Sequence, residues 1–196
     1  ANTTTMIVTV NSNPTLTGNY TLCVDGTSQL SGTGTAAASN AWVSGSIAIA
    51  TISNTGLITG ISAGTSIITY TNNLGCSVTQ NITVNPNPSI SGTLNLCVGA
   101  TSQLTGSATA ANSNAWVSSN PGVATVSASG LVTAVSPGNT TITYTNSNGC
   151  QVTASVTVNA NPIITGNNSL CVGSTLTLTG NGTAAVSNAW ISSNTA

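Results

Sequence analysis

The amino-acid sequence predicts an all-β fold made of tandem β-sandwiches, with about seven strands per 74-residue repeat and the repeats arranged end to end. Tryptophan recurs at a constant interval, at Trp42, Trp116 and Trp190, with no insertion or deletion between the copies. A fixed period of this kind marks a tandem array of one structural unit. Within each period, short β-branched runs alternate with Gly, Asn, Ser and Pro, and no segment has helical periodicity.

One full period, residues 88–161, contains seven such runs with a turn signal about every ten residues, as in β-sandwiches. The runs are 94–98, 102–105, 115–118, 123–126, 131–135, 140–145 and 151–158. In 140–145 strict alternation places Ile142 and Tyr144 on the inward face. Gly56 and Gly130 occupy hairpin positions where a tight turn requires a positive φ.

The period divides the chain into four segments. We expect residues 1–13 to be the last strand of a preceding partial repeat, 14–87 and 88–161 to be two complete repeats, and 162–196 to be the first part of a further repeat. The chain is therefore interpreted as a piece of a longer protein. Each complete copy begins with a proline after a short Asn-containing linker, which predicts a stiff joint between neighbours.

Charged side chains are almost absent, since the sequence has no Lys, Arg or His and a single acid, Asp25. Without cationic side chains the chain lacks the electrostatic basis for binding nucleic acid or anionic lipid. No apolar run approaches the ~20 residues of a membrane-spanning helix. We therefore expect no nucleic-acid partner and no direct membrane insertion.

The same composition argues against an enzyme. General acid–base chemistry needs titratable groups with tuned pKa values, and the abundant Ser and Thr lack a base to activate them. Asp25 stands where the other copies have Gly99 and Gly173, which indicates a turn residue. Calcium needs several oxygen ligands, usually carboxylates, and zinc needs Cys and His in suitable spacing. We expect no catalytic residue, no cofactor and no metal.

Aromatic residues are scarce and recur with the period, which predicts a structural role in a thin core. The predicted core residues are Trp42, Trp116, Trp190, Tyr70 and Tyr144. The alternative, in which the tryptophans are platforms that stack on sugars, is disfavoured because a core without phenylalanine needs them.

The five cysteines, Cys23, Cys76, Cys97, Cys150 and Cys171, also follow the period. Pairing within a copy would join residues 53 apart, and pairing across a junction would join residues 21 apart. Cross-junction pairing would orphan Cys23, so we expect Cys23–Cys76 and Cys97–Cys150 bonds, with Cys171 unmatched. Disulfide bonds imply an oxidising compartment outside the cytoplasm.

Residues 116–143 read WVSSNPGVATVSASGLVTAVSPGNTTIT. This stretch closely resembles the bacterial immunoglobulin-like domain of group 2, and residues 42–69 keep a looser version of it. The resemblance implies an immunoglobulin-like Greek-key sandwich of the kind found in tandem on bacterial surface proteins, adhesins included. The added cysteines and the Thr- and Asn-rich composition are similar to giant surface adhesins of gliding Bacteroidota.

We therefore expect a structural stalk of a long extracellular bacterial surface protein, an adhesin-like filament that projects a binding tip in gliding or surface adhesion. Its partners would be the neighbouring repeats of the same chain. The uncharged surface lacks the repulsion that keeps proteins apart, which favours lateral self-association. Two alternatives stay open: the repeats themselves bind surface polysaccharide or ice, or they self-assemble into an extracellular filament.

Overall fold

The computed structural model describes residues 5–193, and its regular elements are short β-strands. The first copy (residues 14–87) contains β1 Leu16–Thr17, β2 Thr21–Cys23, β3 Thr27–Gln29, β4 Ser31–Gly32, β5 Trp42–Ser44, β6 Ala50–Ile52, β7 Leu57–Gly60, β8 Gly64–Thr71 and β9 Ser77–Asn85. The second copy (residues 88–161) contains β10 Ile90–Ser91, β11 Asn95–Cys97, β12 Thr101–Gln103, β13 Thr105–Gly106, β14 Trp116–Ser118, β15 Ala124–Val126, β16 Leu131–Ala134, β17 Gly138–Thr145 and β18 Gln151–Asn159. The third copy (residues 162–196) contains β19 Ile164–Thr165 and β20 Thr179–Gly180.

Each complete copy is a sandwich of two sheets, and the predicted fold class is confirmed. In the first copy the four-stranded sheet has the order β2-β9-β8-β5 and the three-stranded sheet has the order β3-β7-β6. The second copy repeats this arrangement as β11-β18-β17-β14 and β12-β16-β15. The two-residue strand pair β1–β4 and its equivalent β10–β13 are not predicted by the sequence pattern. Runs of two residues are too short to show periodicity.

The hairpin β17–β18 forms the centre of the four-stranded sheet in the second sandwich, with eight residue pairs in antiparallel register. Ile142 and Tyr144 on β17 are buried between the sheets and Thr141 is exposed, as the alternation predicts. The core around them consists of Leu96, Leu104, Ala115, Trp116, Ala124, Val132, Ala134, Val156 and Val158. The first copy has an equivalent cluster.

Trp116 and Tyr144 pack against each other in this core, with ring centroids 4.5 Å apart. The Tyr144 ring lies directly over Gly106, where an added Cβ would come within 2.2 Å of its Cζ atom. The Tyr144 hydroxyl donates a hydrogen bond to the carbonyl of Ala108. Trp42 and Tyr70 repeat the pair in the first copy, at 4.6 Å.

Trp190 does not lie in a core, which corrects the sequence-based expectation. It is 51% exposed, whereas Trp116 is 8% exposed. In the complete copies the tryptophan strand pairs with the strand that carries the tyrosine, as in Trp116 opposite Tyr144. Among the described residues of the third copy no tyrosine strand pairs with the segment around Trp190, and its ring stays half exposed.

Residues 5–13 form no strand, although 1–13 were expected to be a last strand. They have the sequence pattern of β9, but Val10 is 90% exposed whereas its equivalent Val84 is 2% exposed. A strand needs a partner for its backbone hydrogen bonds. In the complete copy this partner is the preceding strand, as β8 is for β9, and residues 5–13 pair with no strand. Residues 1–4 lie outside the described part.

Several turn residues have a positive φ, and two sets of them bear on the predictions. Gly56 and Gly130, at φ 85° and 86°, close the predicted hairpins. Asp25 has φ 65°, and its equivalent Gly99 has φ 85° in the same turn after β11. An L-residue in this left-handed conformation pays a steric cost that glycine avoids.

Asp25→Gly is therefore expected to stabilise the first copy by about 0.5–1 kcal/mol, because it relieves the left-handed backbone. The reciprocal change Gly99→Asp should destabilise the second copy by a similar amount. Urea unfolding followed by tryptophan fluorescence measures both effects. A destabilised Asp25→Gly variant would show that the carboxylate has a role beyond the turn.

Candidate functional site: the joint between two copies

A disulfide bond joins the first copy to the second. Cys23 is bonded to Cys150, 127 residues further along the chain, with their Cα atoms 5.6 Å apart. Within residues 5–193, Cys76, Cys97 and Cys171 are free. The expected pairs Cys23–Cys76 and Cys97–Cys150 are therefore wrong.

Cys23 lies where the chain leaves the first copy. It ends β2, which runs parallel to the end of β9, so that Cys23 is opposite Asn85. The next residue along, Val24, donates its N–H to the Asn85 carbonyl at 3.0 Å. The Asn87 side chain in the linker donates to the Val24 carbonyl, also at 3.0 Å. These bonds fasten the cysteine to the exit strand and to the linker.

Cys150 lies where the chain enters the second copy. Entry residue Ser89 donates its N–H to the Ser107 hydroxyl at 2.8 Å. Close by in the sequence, the Thr109 carbonyl accepts the Ser147 N–H at 2.7 Å, in the turn that precedes Cys150. The buried Asn146 side chain closes that turn, accepting the Cys150 N–H at 2.9 Å.

The length of the last strand explains why pairing within a copy fails. Cys76 immediately precedes β9, and Cys23 is opposite the final residue of β9. Nine residues of strand separate the two ends by ~30 Å. A disulfide needs Cα atoms within about 7 Å. The two cysteines of one copy therefore lie at its opposite ends, where each can meet only a neighbour.

Burial at equivalent positions shows how much the joint covers. Cys150 is 1% exposed, whereas its equivalent Cys76 is half-buried. Cys23 is half-buried and its equivalent Cys97 is exposed. Asn85 is likewise half-buried, while Asn159 at the end of the second copy is exposed. Contact between the copies thus covers the two bonded cysteines and the end of the exit strand.

Residues 77–158 match the bacterial Ig-like domain (group 2). This confirms the family predicted from the sequence for that stretch, which runs from the last strand of the first copy through the second sandwich. No curated protein matches the sequence.

Several solved structures are similar to this chain at low sequence identity. The C-terminal 282-residue fragment of intimin, in complex with the intimin-binding domain of the translocated intimin receptor, is 18% identical over 81% of this chain and 68% of that one, with a TM-score of 0.48. Invasin, a bacterial integrin-binding protein, is 18% identical over 78% of this chain, with a TM-score of 0.49. The S-layer protein rSbsC(31-844) is 18% identical over 87% of this chain, with a TM-score of 0.34. The chain spans only 40% of the invasin chain and 36% of the S-layer chain.

Other candidate chemistry on these Ig-like units is limited. Across residues 5–193 no group of three or more His, Cys, Asp or Glu residues is placed to hold a metal ion. In the same part of the chain no helix is long and apolar enough to cross a membrane.

Loss of the joint should destabilise the Ig-like pair. Closing a ring of this size removes chain entropy worth about 5 kcal/mol from the unfolded state in the loop-closure treatment. Cys23→Ser and Cys150→Ser are therefore expected to lower the unfolding free energy of the oxidised chain by up to about that amount, and equally.

Cys97→Ser is the matched control, because it removes the equivalent cysteine of the next unit without breaking a bond. Denaturant unfolding under non-reducing conditions compares the three variants. Equal losses for Cys97→Ser and Cys150→Ser would contradict the pairing.

Proposed function

We propose that this chain is part of the structural stalk of a long extracellular bacterial surface protein, in which Ig-like units hold a binding tip away from the cell. The proposal includes the repeat boundaries 14–87 and 88–161. It also includes an adhesive role of the kind that gliding bacteria use.

The observation that carries this proposal is the Cys23–Cys150 bond between successive units. A bond within a unit would stabilise that unit alone. A bond between the exit end of one unit and the entry end of the next fixes their spacing and carries tension past both folds. A spacer under load needs this property, whereas a self-contained binding domain does not.

Compartment and composition support the same role. A disulfide persists in an oxidising environment such as the cell exterior. A nearly uncharged surface makes the stalk insensitive to salt and pH, since almost no group titrates and almost no charge is screened. The matched family is bacterial by its description.

Ice or polysaccharide binding by the repeats themselves would need a surface that each copy reproduces. Thr141 presents its side chain outward on β17, but the equivalent residue on β8 is Ile67, which is 52% exposed. A regular row of exposed threonine side chains therefore does not continue from one unit to the next. A role as a stalk gives a reason for the disulfide bond between the units, whereas a role in ice or polysaccharide binding gives none.

Electron microscopy of the intact surface protein tests the stalk. A thin rod with an axial repeat of ~40 Å per unit is expected, from strands of nine residues at ~3.3 Å with loops and tilt. A compact or collapsed particle would count against it. Retention of the 196-residue chain on a glycan array or on ice would favour the binding alternative.

A further inference from the structure

We propose that the joint between the first two copies is one rung of a continuous disulfide ladder. In this ladder the early cysteine of every unit bonds to the late cysteine of the next unit. Cys97 would then bond to the late cysteine of a following copy of the same Ig-like unit. Cys76 would bond to the early cysteine of a preceding copy. The inference concerns how units are joined and stands apart from the role of the whole array.

The exit end of the second unit repeats the exit end of the first, bond for bond. Cys97 is opposite Asn159 in the parallel pair, as Cys23 is opposite Asn85. Val98 donates its N–H to the Asn159 carbonyl at 3.0 Å. The Asn161 side chain donates to the Val98 carbonyl at 3.1 Å. Cys97 is thus held as Cys23 is held, but exposed and without a bond.

The entry end of the first unit likewise repeats the entry end of the second. The Asn72 side chain accepts the Cys76 N–H at 3.0 Å, as Asn146 accepts that of Cys150 at 2.9 Å. The turn that presents the cysteine therefore forms without its disulfide partner. Cys76 is more exposed than Cys150, which the first unit covers.

Spacing supports one rule for the whole array. Of the cysteine pairs that the sequence allows, Cys23–Cys150 is the one with a separation of 127 residues, and it is the pair that bonds. The same separation from Cys97 or Cys171 falls in a later copy, and from Cys76 it falls in an earlier one. A single pairing rule thereby explains why Cys76, Cys97 and Cys171 are free in this chain.

Closing a rung is a two-electron oxidation. One thiolate attacks a sulfur of an oxidising disulfide such as oxidised glutathione, and the second thiolate then displaces the bound half. One S–S bond forms in the protein and one breaks in the oxidant. The two electrons and two protons leave with the two thiols that the oxidant becomes.

The test is a chain in which residues 14–161 are duplicated in tandem, so that it runs from 1 to 161 and continues with 14 to 196. Both inserted units are of the kind that forms a complete sandwich. After refolding with oxidised glutathione, elastase or chymotrypsin digestion and non-reducing peptide mapping should recover a peptide that joins Cys97 to Cys76, which the parent chain does not give because both cysteines are free in it. Both thiols, which react with an alkylating agent in the parent chain, should become protected.

The matched control carries Cys97→Ser in the first copy only. It should leave Cys76 of the second copy free to react and every Cys23–Cys150 bond intact. Tryptophan fluorescence verifies that the inserted units fold as the originals do. A Cys97–Cys150 bond, a Cys76–Cys97 peptide that persists in the control, or two free thiols at the new junction in a folded protein would overturn the ladder.

Discussion

Pulling the oxidised chain by its two ends should release almost no length from residues 24–149. These residues lie inside the ring that Cys23 and Cys150 close, so tension passes from one cysteine to the other across 5.6 Å between Cα atoms. Unfolding of either sandwich within the ring adds nothing to the distance between the ends. Reduction under load should then lengthen the chain in one step by roughly 440 Å, at ~3.5 Å per residue.

Single-molecule force spectroscopy with and without reductant measures this step. Cys150→Ser should show the full extension without reductant, since the ring never closes. Cys97→Ser should behave like the parent chain, because Cys97 is not bonded in it. Identical traces before and after reduction would mean that the bond does not carry the load.

In the proposed ladder the same reasoning applies to many units. From Cys150 the force path follows the backbone for 21 residues to Cys171, where the next bond in the path begins. That stretch extends to ~75 Å, and two folded units span ~80 Å. The covalent path is thus about as long as the folded rod, so unfolding of the units would barely lengthen the stalk.

Trp116→Ala should destabilise the second unit by about 3–5 kcal/mol, the usual cost of removing a buried tryptophan. The Trp116 ring packs on Tyr144 and closes the core beside Gly130. Its loss leaves a cavity that the short strands around it cannot fill. Denaturant unfolding monitored by circular dichroism reports the change, since the variant loses a fluorophore.

Trp190→Ala is the matched control within the same chain. It occupies the same position of the repeat, but the side chain is 51% exposed. Its replacement should change stability by less than about 1 kcal/mol, as surface substitutions usually do. Comparable losses at both positions would show that the third copy has a core of its own.

The strands, the sandwich and the family were predictable because they depend on local pattern. Alternation in 140–145 places Ile142 and Tyr144, and the glycine at 130 sets a hairpin whatever surrounds it. Trp190 and the segment 5–13 were not, since their burial depends on pairing with other strands, and neither segment lies in a strand of the described residues. The sequence pattern indicates which residues favour burial, and tertiary packing determines whether they are buried.

The cysteine pairing could not be obtained from spacing because it depends on which end of the sandwich each cysteine occupies. That placement follows from the parallel alignment of β2 with the far end of β9, a long-range pairing that no local signal encodes. The period itself held a usable clue. A bond between neighbouring units uses a separation longer than one repeat, and at that separation Cys76, Cys97 and Cys171 have no partner among these 196 residues.

The ring closed by Cys23 and Cys150 also changes what damage can do to the molecule. A protease that cuts one peptide bond between these two residues opens a loop but leaves both ends of the chain in one covalent piece. In a ladder, the span from one unit's early cysteine to the next unit's late cysteine overlaps the following span, so every backbone position is bypassed at least once. Cleavage of a single peptide bond would then leave the array covalently continuous. A long fibre outside the cell is exposed to proteases and is not repaired. Such a fibre would separate into two pieces only after several peptide bonds had been cleaved close together.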